Sequence, residues 1–168
     1  SPLSGELSYT ALQAPALAAE AVGVLDAVLL SHDQHKDNLD RAGLELARGS
    51  GIVLTTTLAA RRLARQGLSN LCGLAAGDSR TLPTREGPLC VTATPARHGP
   101  WGLGPIVGPV VGFLLEHAEL PGGRLWIPGD TRWFAGLRAL KPRVRGGQAK
   151  RASRPRRLGR DHWLGIVE

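Results

Sequence analysis

Residues 29–40 of this 168-residue chain read Leu29-Leu30-Ser31-His32-Asp33-Gln34-His35-Lys36-Asp37-Asn38-Leu39-Asp40. The apolar run that ends at Ser31 predicts a buried β-strand, and a polar loop follows it directly. Two imidazoles and several carboxylates fall within that loop, and α/β folds place their sites at the carboxyl ends of strands. Imidazole nitrogens and carboxylate oxygens suit Zn, Fe or Mn better than Ca or Mg. The loop is therefore a candidate metal site, with a solvated loop that holds two histidines as the alternative.

Outward from this loop, the pattern predicts a layered α/β or α+β domain. A helix follows over residues 39–48, with Asn38 and Asp40 as candidate caps. A strand over Ile52–Thr56 and a helix capped by Thr57 come next. The rest of the predicted elements are short strands separated by Gly and Pro, namely Arg80–Leu82, Leu89–Thr94, Val110–Leu115 and Arg124–Ile127. An order of strand, helix, strand, helix and then several strands is typical of such layered domains.

The charge is distributed unevenly along the chain. Residues 1–131 hold 10 Lys and Arg against 12 Asp and Glu, whereas residues 132–168 hold 11 against 2. The net charge of +7 and the sequence pI of about 10.7 therefore describe a basic tail. We expect a folded domain over 1–134. The Gly, Arg, Pro and Ala content of residues 135–168 predicts a disordered, Arg-rich segment there. Nonspecific nucleic-acid contact through this tail is an alternative to catalysis.

The composition argues against several classes of protein. No apolar run is long enough to span a membrane, and the first residues lack the pattern of a signal peptide. Two cysteines, Cys72 and Cys90, are too few for a disulfide framework or a cysteine zinc site. We therefore expect a cytoplasmic protein. Because the chain begins at Ser1 and contains no Met, we also expect that its natural start is missing.

Two later segments add single chemical groups after predicted strands. Residues 92–100 contain His98, and residues 127–131 contain Asp130 beside Gly129. Taken alone, a lone histidine is more often a structural hydrogen-bonding residue, and a Gly-Asp pair is more often a turn. Their order in the chain nevertheless forms a pattern. A strand followed by a His/Asp cluster comes first, a strand followed by His98 comes next, and a strand followed by Asp130 comes last.

Together the three segments resemble the metallo-β-lactamase superfamily, in particular the branches of the ascorbate-6-phosphate lactonase and the N-acyl-phosphatidylethanolamine phospholipase D. The likeness covers residues 20–134. It implies part of an αββα sandwich and a metal-dependent hydrolase whose small-molecule substrate is an ester, lactone, amide or phosphodiester. It also implies a zinc ion, with Mn or Fe as alternatives. The implied metal ligands are His32, His35, Asp37, His98 and Asp130. The carboxylate of Asp37 would bind a second metal or orient the attacking water.

The first segment departs from the family pattern His-x-His-x-Asp-His. When the family pattern is aligned at its first residue, His32 is the first ligand. When it is aligned at Asp37, Asp33 takes that position. Of these two side chains, the imidazole of His32 is the better zinc ligand. Asn38 replaces the last histidine, so we expect one metal ion rather than two. For the family's final metal-binding histidine, His162 is the only candidate by position, and its surroundings are unlike the family's. We therefore also consider a tail translated from a shifted frame, and a non-catalytic fragment.

Overall fold

The computed structural model describes residues 23–34, 39–98, 108–140, 148–149, 156–158 and 162–167. Its strands are β1 (Ala27–Leu30), β2 (Ile52–Thr56), β3 (Leu71–Leu74), β4 (Ser79–Thr84), β5 (Gly87–Pro95), β6 (Val111–Glu116), β7 (Arg124–Ile127), β8 (Gln148–Ala149), β9 (Arg156–Leu158) and β10 (His162–Val167). Its helices are α1 (Arg41–Gly49) and α2 (Thr57–Arg65), with 3-10 turns at Pro121–Gly123 and Ala135–Leu140. The predicted α+β class is confirmed. Within these residues, no helix is both long and apolar enough to cross a membrane.

The strands form two five-stranded sheets. The first sheet has the order β3-β2-β1-β10-β9 and the second has the order β4-β5-β6-β7-β8. In the first sheet β1 pairs in parallel with both β2 and β10, so that Leu29 lies level with Leu54 and Ile166. Helix α1 connects β1 to its parallel neighbour β2, and α2 connects β2 to the parallel strand β3. In the second sheet β4 to β7 form an antiparallel meander.

Strand β1 is buried on both faces because it separates two apolar cores. Ala27 and Leu29 face the second sheet and join the core between the sheets. Val28 and Leu30 point the other way and pack with residues of the helices, among them Ala47 of α1 and Leu63 of α2. Alternate side chains of a strand point to opposite faces, so the apolar run of β1 supplies both layers. The described residues therefore stack as helices, first sheet and second sheet.

Side-chain caps begin both helices. Asp40 accepts a hydrogen bond from the Gly43 N–H at 2.7 Å, which selects it from the two candidate caps of α1. In α2 the cap is Thr56 rather than the predicted Thr57, since Thr56 Oγ1 accepts from the Ala59 N–H at 3.1 Å. Thr56 is also the last residue of β2, so the helix starts with no connecting loop. The cap therefore fixes α2 directly at the end of a buried strand.

The described residues beyond position 140 form three short strands, within a segment whose composition predicts disorder. Strand β10 lies between β1 and β9, and β8 pairs with β7. Residues 135–160 carry no sustained apolar period, yet strand pairing depends on backbone N–H and C=O groups, which nearly every residue offers. The edge of β1 pairs with β10, whose sequence His-Trp-Leu-Gly-Ile-Val is largely apolar.

Gly112 lets the ends of β5 and β7 approach each other across β6. A Cβ atom at this position would lie 2.6 Å from Thr94 Oγ1 and 2.7 Å from the carbonyl oxygen of Pro128. Both distances are far below van der Waals contact, which for carbon begins near 3.5 Å. The missing side chain is therefore a steric requirement of the second sheet.

We expect Gly112→Ala to lower the free energy of unfolding by about 2–3 kcal/mol, because the methyl group collides with backbone that cannot rotate away. Gly49→Ala is the matched control, since nothing lies within 4 Å of its added methyl group. The control should leave stability unchanged or raise it by up to about 1 kcal/mol. Urea denaturation followed by tryptophan fluorescence measures both variants. Equal stabilities would contradict the steric explanation.

Candidate metal centre

Three of the predicted ligands converge at one edge of the two sheets. His32, His98 and Asp130 offer ligand atoms that all lie within 4.8 Å of one another. The ring centroids of the two histidines are 5.3 Å apart. The Nδ1 atom of His98 lies 4.0 Å from Oδ2 of Asp130, which is too long for a hydrogen bond. The three side chains therefore face a common space. His98 and Asp130 do not hydrogen-bond to each other through these two atoms.

Each of these residues follows the end of a strand, as the sequence predicts. His32 follows β1 in the first sheet, whereas His98 follows β5 and Asp130 follows β7 in the second. Strands β5 and β7 are both antiparallel to β6, so they end at the same edge of their sheet. The cluster therefore lies across the seam between the two sheets.

Hydrogen bonds donated by backbone N–H groups join the two loops of the second sheet. The Arg97 N–H donates to Thr131 Oγ1 at 2.9 Å, and the Arg132 N–H donates to the Arg97 carbonyl at 3.0 Å. Arg97 directly precedes His98, and Thr131 directly follows Asp130. These bonds therefore set the separation of the two candidate ligands.

The loop of the first sheet is joined to the second sheet by Ser31. Its carbonyl accepts a hydrogen bond from the Val111 N–H at 3.2 Å. Gly129 has φ +62°, and a Cβ added to it would lie 3.1 Å from the Cβ of Ser31. A side chain at Gly129 would be strained and crowded, so glycine permits the approach of Asp130 to His32.

The candidate ligands differ in exposure. His32 is fully buried, whereas the side chains of His98 and Asp130 are 31% and 39% exposed. Ser31 Oγ and His32 Nδ1 are hydrogen-bonded at 2.9 Å. A hydrogen bond at one ring nitrogen orients the other, an arrangement common around metal-binding histidines. The cluster is thus held in place at the buried His32 and accessible to solvent at His98 and Asp130.

Asp33, the alternative first ligand, is engaged elsewhere. Its side chain is only 5% exposed and lies against Arg62 of α2. Arg62 Nε donates to Asp33 Oδ2 at 2.9 Å, and Nη2 donates to Oδ1. A forked guanidinium pair satisfies a buried carboxylate well. Sequence analysis missed this pairing, because two residues 29 positions apart in the chain offer no local signal for it.

The other predicted site residues fall into two groups. His35 and Asp37 lie outside the described residues. His162 begins β10, and the pairing of Leu164 with Ala27 places it at the opposite end of β1 from His32. At about 3.3 Å per residue, the backbone alone separates it from the cluster by roughly 20 Å.

The cluster opens into a cleft of about 340 Å³, which is large enough for a small molecule. It is lined by the two loops of the second sheet, specifically by Arg97, His98, Pro128, Gly129, Asp130, Thr131 and Arg132. Sequence analysis did not single out the two arginines. The signal in the sequence that could have identified them is their position, since each arginine lies within two residues of a predicted ligand.

No protein-family model and no curated protein sequence matches the chain. Solved structures do match it. An isothiocyanate hydrolase from Delia radicum gut bacteria aligns with a TM-score of 0.60 and 23% identity, over 78% of this chain and 50% of that one. A Veillonella parvula protein described as a possible metal-dependent hydrolase aligns with a TM-score of 0.64 and 19% identity, over 89% and 58%. A metallo hydrolase from the hyperthermophilic archaeon Ignicoccus hospitalis aligns with a TM-score of 0.52 and 23% identity, over 68% and 46%.

These likenesses establish the fold. The chain spans about half the length of the structures that it matches. The fold is one that metal-dependent hydrolases use, and the edge at which β1, β5 and β7 end carries two imidazoles and a carboxylate in close proximity. Fold and site together thus indicate that this chain has a metallo-hydrolase fold.

We expect Arg62→Met to lower the free energy of unfolding by about 2–3 kcal/mol, since it leaves the buried Asp33 carboxylate without its partner. The exposed Arg61, also on α2, offers the matched control. Arg61→Met should change stability by less than about 0.5 kcal/mol. Both variants are compared by urea denaturation, and equal losses would mean that the ion pair contributes nothing.

Proposed function

We propose that this chain belongs to a zinc-dependent hydrolase of the metallo-β-lactamase superfamily, acting on a small ester, lactone, amide or phosphodiester. The observation that carries the proposal is the convergence of His32, His98 and Asp130 from two different sheets to within 4.8 Å. Imidazole and carboxylate are common zinc ligands in catalytic sites, and Mn or Fe would also accept them. The fold that the chain shares with hydrolases supports the same reading.

The donor set fits a metal ion better than a structural ion pair. A His–Asp ion pair would bring nitrogen and oxygen to about 2.7–2.9 Å, whereas His98 and Asp130 stand 4.0 Å apart. Ligand atoms about 2.1 Å from one ion lie within about 4 Å of each other. Tetrahedral ligands at this distance lie about 3.4 Å apart, so the cluster needs to close by about 1–1.5 Å, and its two partly exposed members have the room to do so. An ion pair would also not explain a third, fully buried imidazole at His32.

The chain's own residues have separable roles in this proposal. His32, His98 and Asp130 hold the ion, with His35 as a further ligand. When bound, the metal supplies a Lewis acid that polarises a substrate oxygen and makes water more acidic. The Asp37 carboxylate would orient the attacking water or bind a second metal, the two roles that the resemblance of residues 29–40 implies. The cleft beside His98 holds the substrate.

The cysteines support a cytoplasmic location for this hydrolase. Cys72 and Cys90 are both free thiols. Unpaired cysteines are most common in reducing compartments.

We expect His98→Ala to weaken zinc binding at least about 100-fold, because it removes an inner ligand. His117→Ala is the control, since His117 is buried at the far end of β6 and bonds to Thr84 Oγ1 instead. Competition with a chromophoric chelator measures both affinities, after the folding of each variant has been checked. Equal losses in the two variants would mean that the cluster is not the zinc site.

We expect the zinc-loaded chain to hydrolyse at least one member of a panel of esters, lactones and phosphodiesters. Chelation should abolish turnover and added zinc should restore it, since the ion supplies the Lewis acid. Initial rates before and after metal removal test this. Tight zinc binding with no turnover across the panel would contradict the hydrolase and leave a metal-binding fragment.

A further inference from the structure

We infer that Arg97 and Arg132 form a binding site for an anionic group of the substrate, a carboxylate or a phosphate, in the cleft beside the His–Asp cluster. The inference rests on the proposed function, because it names the class of substrate for the same site. It concerns substrate recognition rather than bond cleavage.

The two arginines line the same cleft as the candidate ligands His98 and Asp130. Arg97 directly precedes His98, and Arg132 lies two residues after Asp130. Their backbones are hydrogen-bonded to each other at 3.0 Å, from the Arg132 N–H to the Arg97 carbonyl. Two guanidinium groups therefore start from adjacent backbone positions at the rim of one cleft of about 340 Å³.

The described part of the cleft is electrostatically positive. Its described lining holds two arginines and a single carboxylate, that of Asp130, and a bound divalent ion would more than neutralise that carboxylate. Among the described residues, no carboxylate forms an ion pair with either arginine. Three other described arginines do have acidic partners, in the pairs Arg48–Glu45, Arg62–Asp33 and Arg124–Glu116. Two arginines without such partners beside a cation would attract an anion.

Arg97 is also held in place. Its guanidinium carbon lies 4.8 Å from the centre of the Phe134 ring. Stacking on an aromatic face restricts the guanidinium plane while its N–H donors stay directed outward from the edge. That geometry matches the two oxygens of a carboxylate or phosphate, which accept paired hydrogen bonds from arginine. Arg97 is thus ordered before an anion arrives, which reduces the entropy lost on binding.

The first test measures anion binding without requiring turnover. Inorganic phosphate and acetate are titrated calorimetrically into the full chain, with and without added zinc. We expect Arg97→Gln and Arg132→Gln each to weaken binding of the preferred anion at least about tenfold. Arg65→Gln is the matched control, because Arg65 is exposed in the last turn of α2 and outside the cleft. Tighter binding of phosphate indicates a phosphorylated substrate, and tighter binding of acetate a carboxylated one.

Equal affinities in all four proteins, or no anion binding by the wild-type chain, would overturn the inference. Because the comparison is between variants, it holds whether or not the chain retains zinc. Failure of the anion site is therefore distinguishable from failure of the proposed hydrolase.

The second test compares two esters that differ in one charge, 4-nitrophenyl hexanoate and the mono-4-nitrophenyl ester of adipic acid. The zinc-loaded wild-type chain should prefer the anionic ester in kcat/KM. Arg97→Gln and Arg132→Gln should reduce that preference at least about tenfold, whereas Arg65→Gln should preserve it. An unchanged preference in the cleft variants would overturn the inference. Turnover of neither ester would count against the proposed hydrolase and leave the titrations to decide the anion site.

Discussion

The close approach of backbone at two glycines is the constraint on which the candidate site depends. Gly129 lies against Ser31, and Gly112 leaves space for the carbonyl oxygen of Pro128. A side chain at either position would push the loop after β7 away from its neighbours. Asp130 would then move away from His32, and the two sheets would no longer contribute to one cluster. The convergence of the candidate ligands at this edge thus depends on glycine at both positions.

The two sheets contribute in different ways. The first sheet supplies the buried His32, on a loop that Asp33 fastens to α2 through Arg62. The second sheet supplies the half-exposed His98 and Asp130, together with the two arginines of the cleft. Because the bonds between Arg97, Thr131 and Arg132 hold those loops together, the spacing of the ligands and the position of the arginines are coupled. Both loops follow strands of one hydrogen-bonded sheet, which supports that spacing.

Much of the fold could be predicted because its strands carry strong local patterns. The buried runs of β1 and β2 and the strands β5, β6 and β7 lie within a few residues of their predicted places. Strand β3 was not predicted, since Leu71–Leu74 is four residues long and includes Gly73. It exists because β2 offers it a parallel backbone partner. Strands β8 and β9, of two and three residues, are likewise too short to carry a local pattern.

The sequence by itself determined the chemical groups and their positions in the chain, namely imidazoles and carboxylates placed directly after strands. Local pattern is sufficient for this, because it reflects the contacts of each residue with its near neighbours in the chain. The tertiary structure decided which groups meet. It brought His32, His98 and Asp130 together, turned Asp33 toward Arg62 and placed both arginines in one cleft. These outcomes depend on strand register and on close packing between residues far apart in the chain, and no local pattern encodes either.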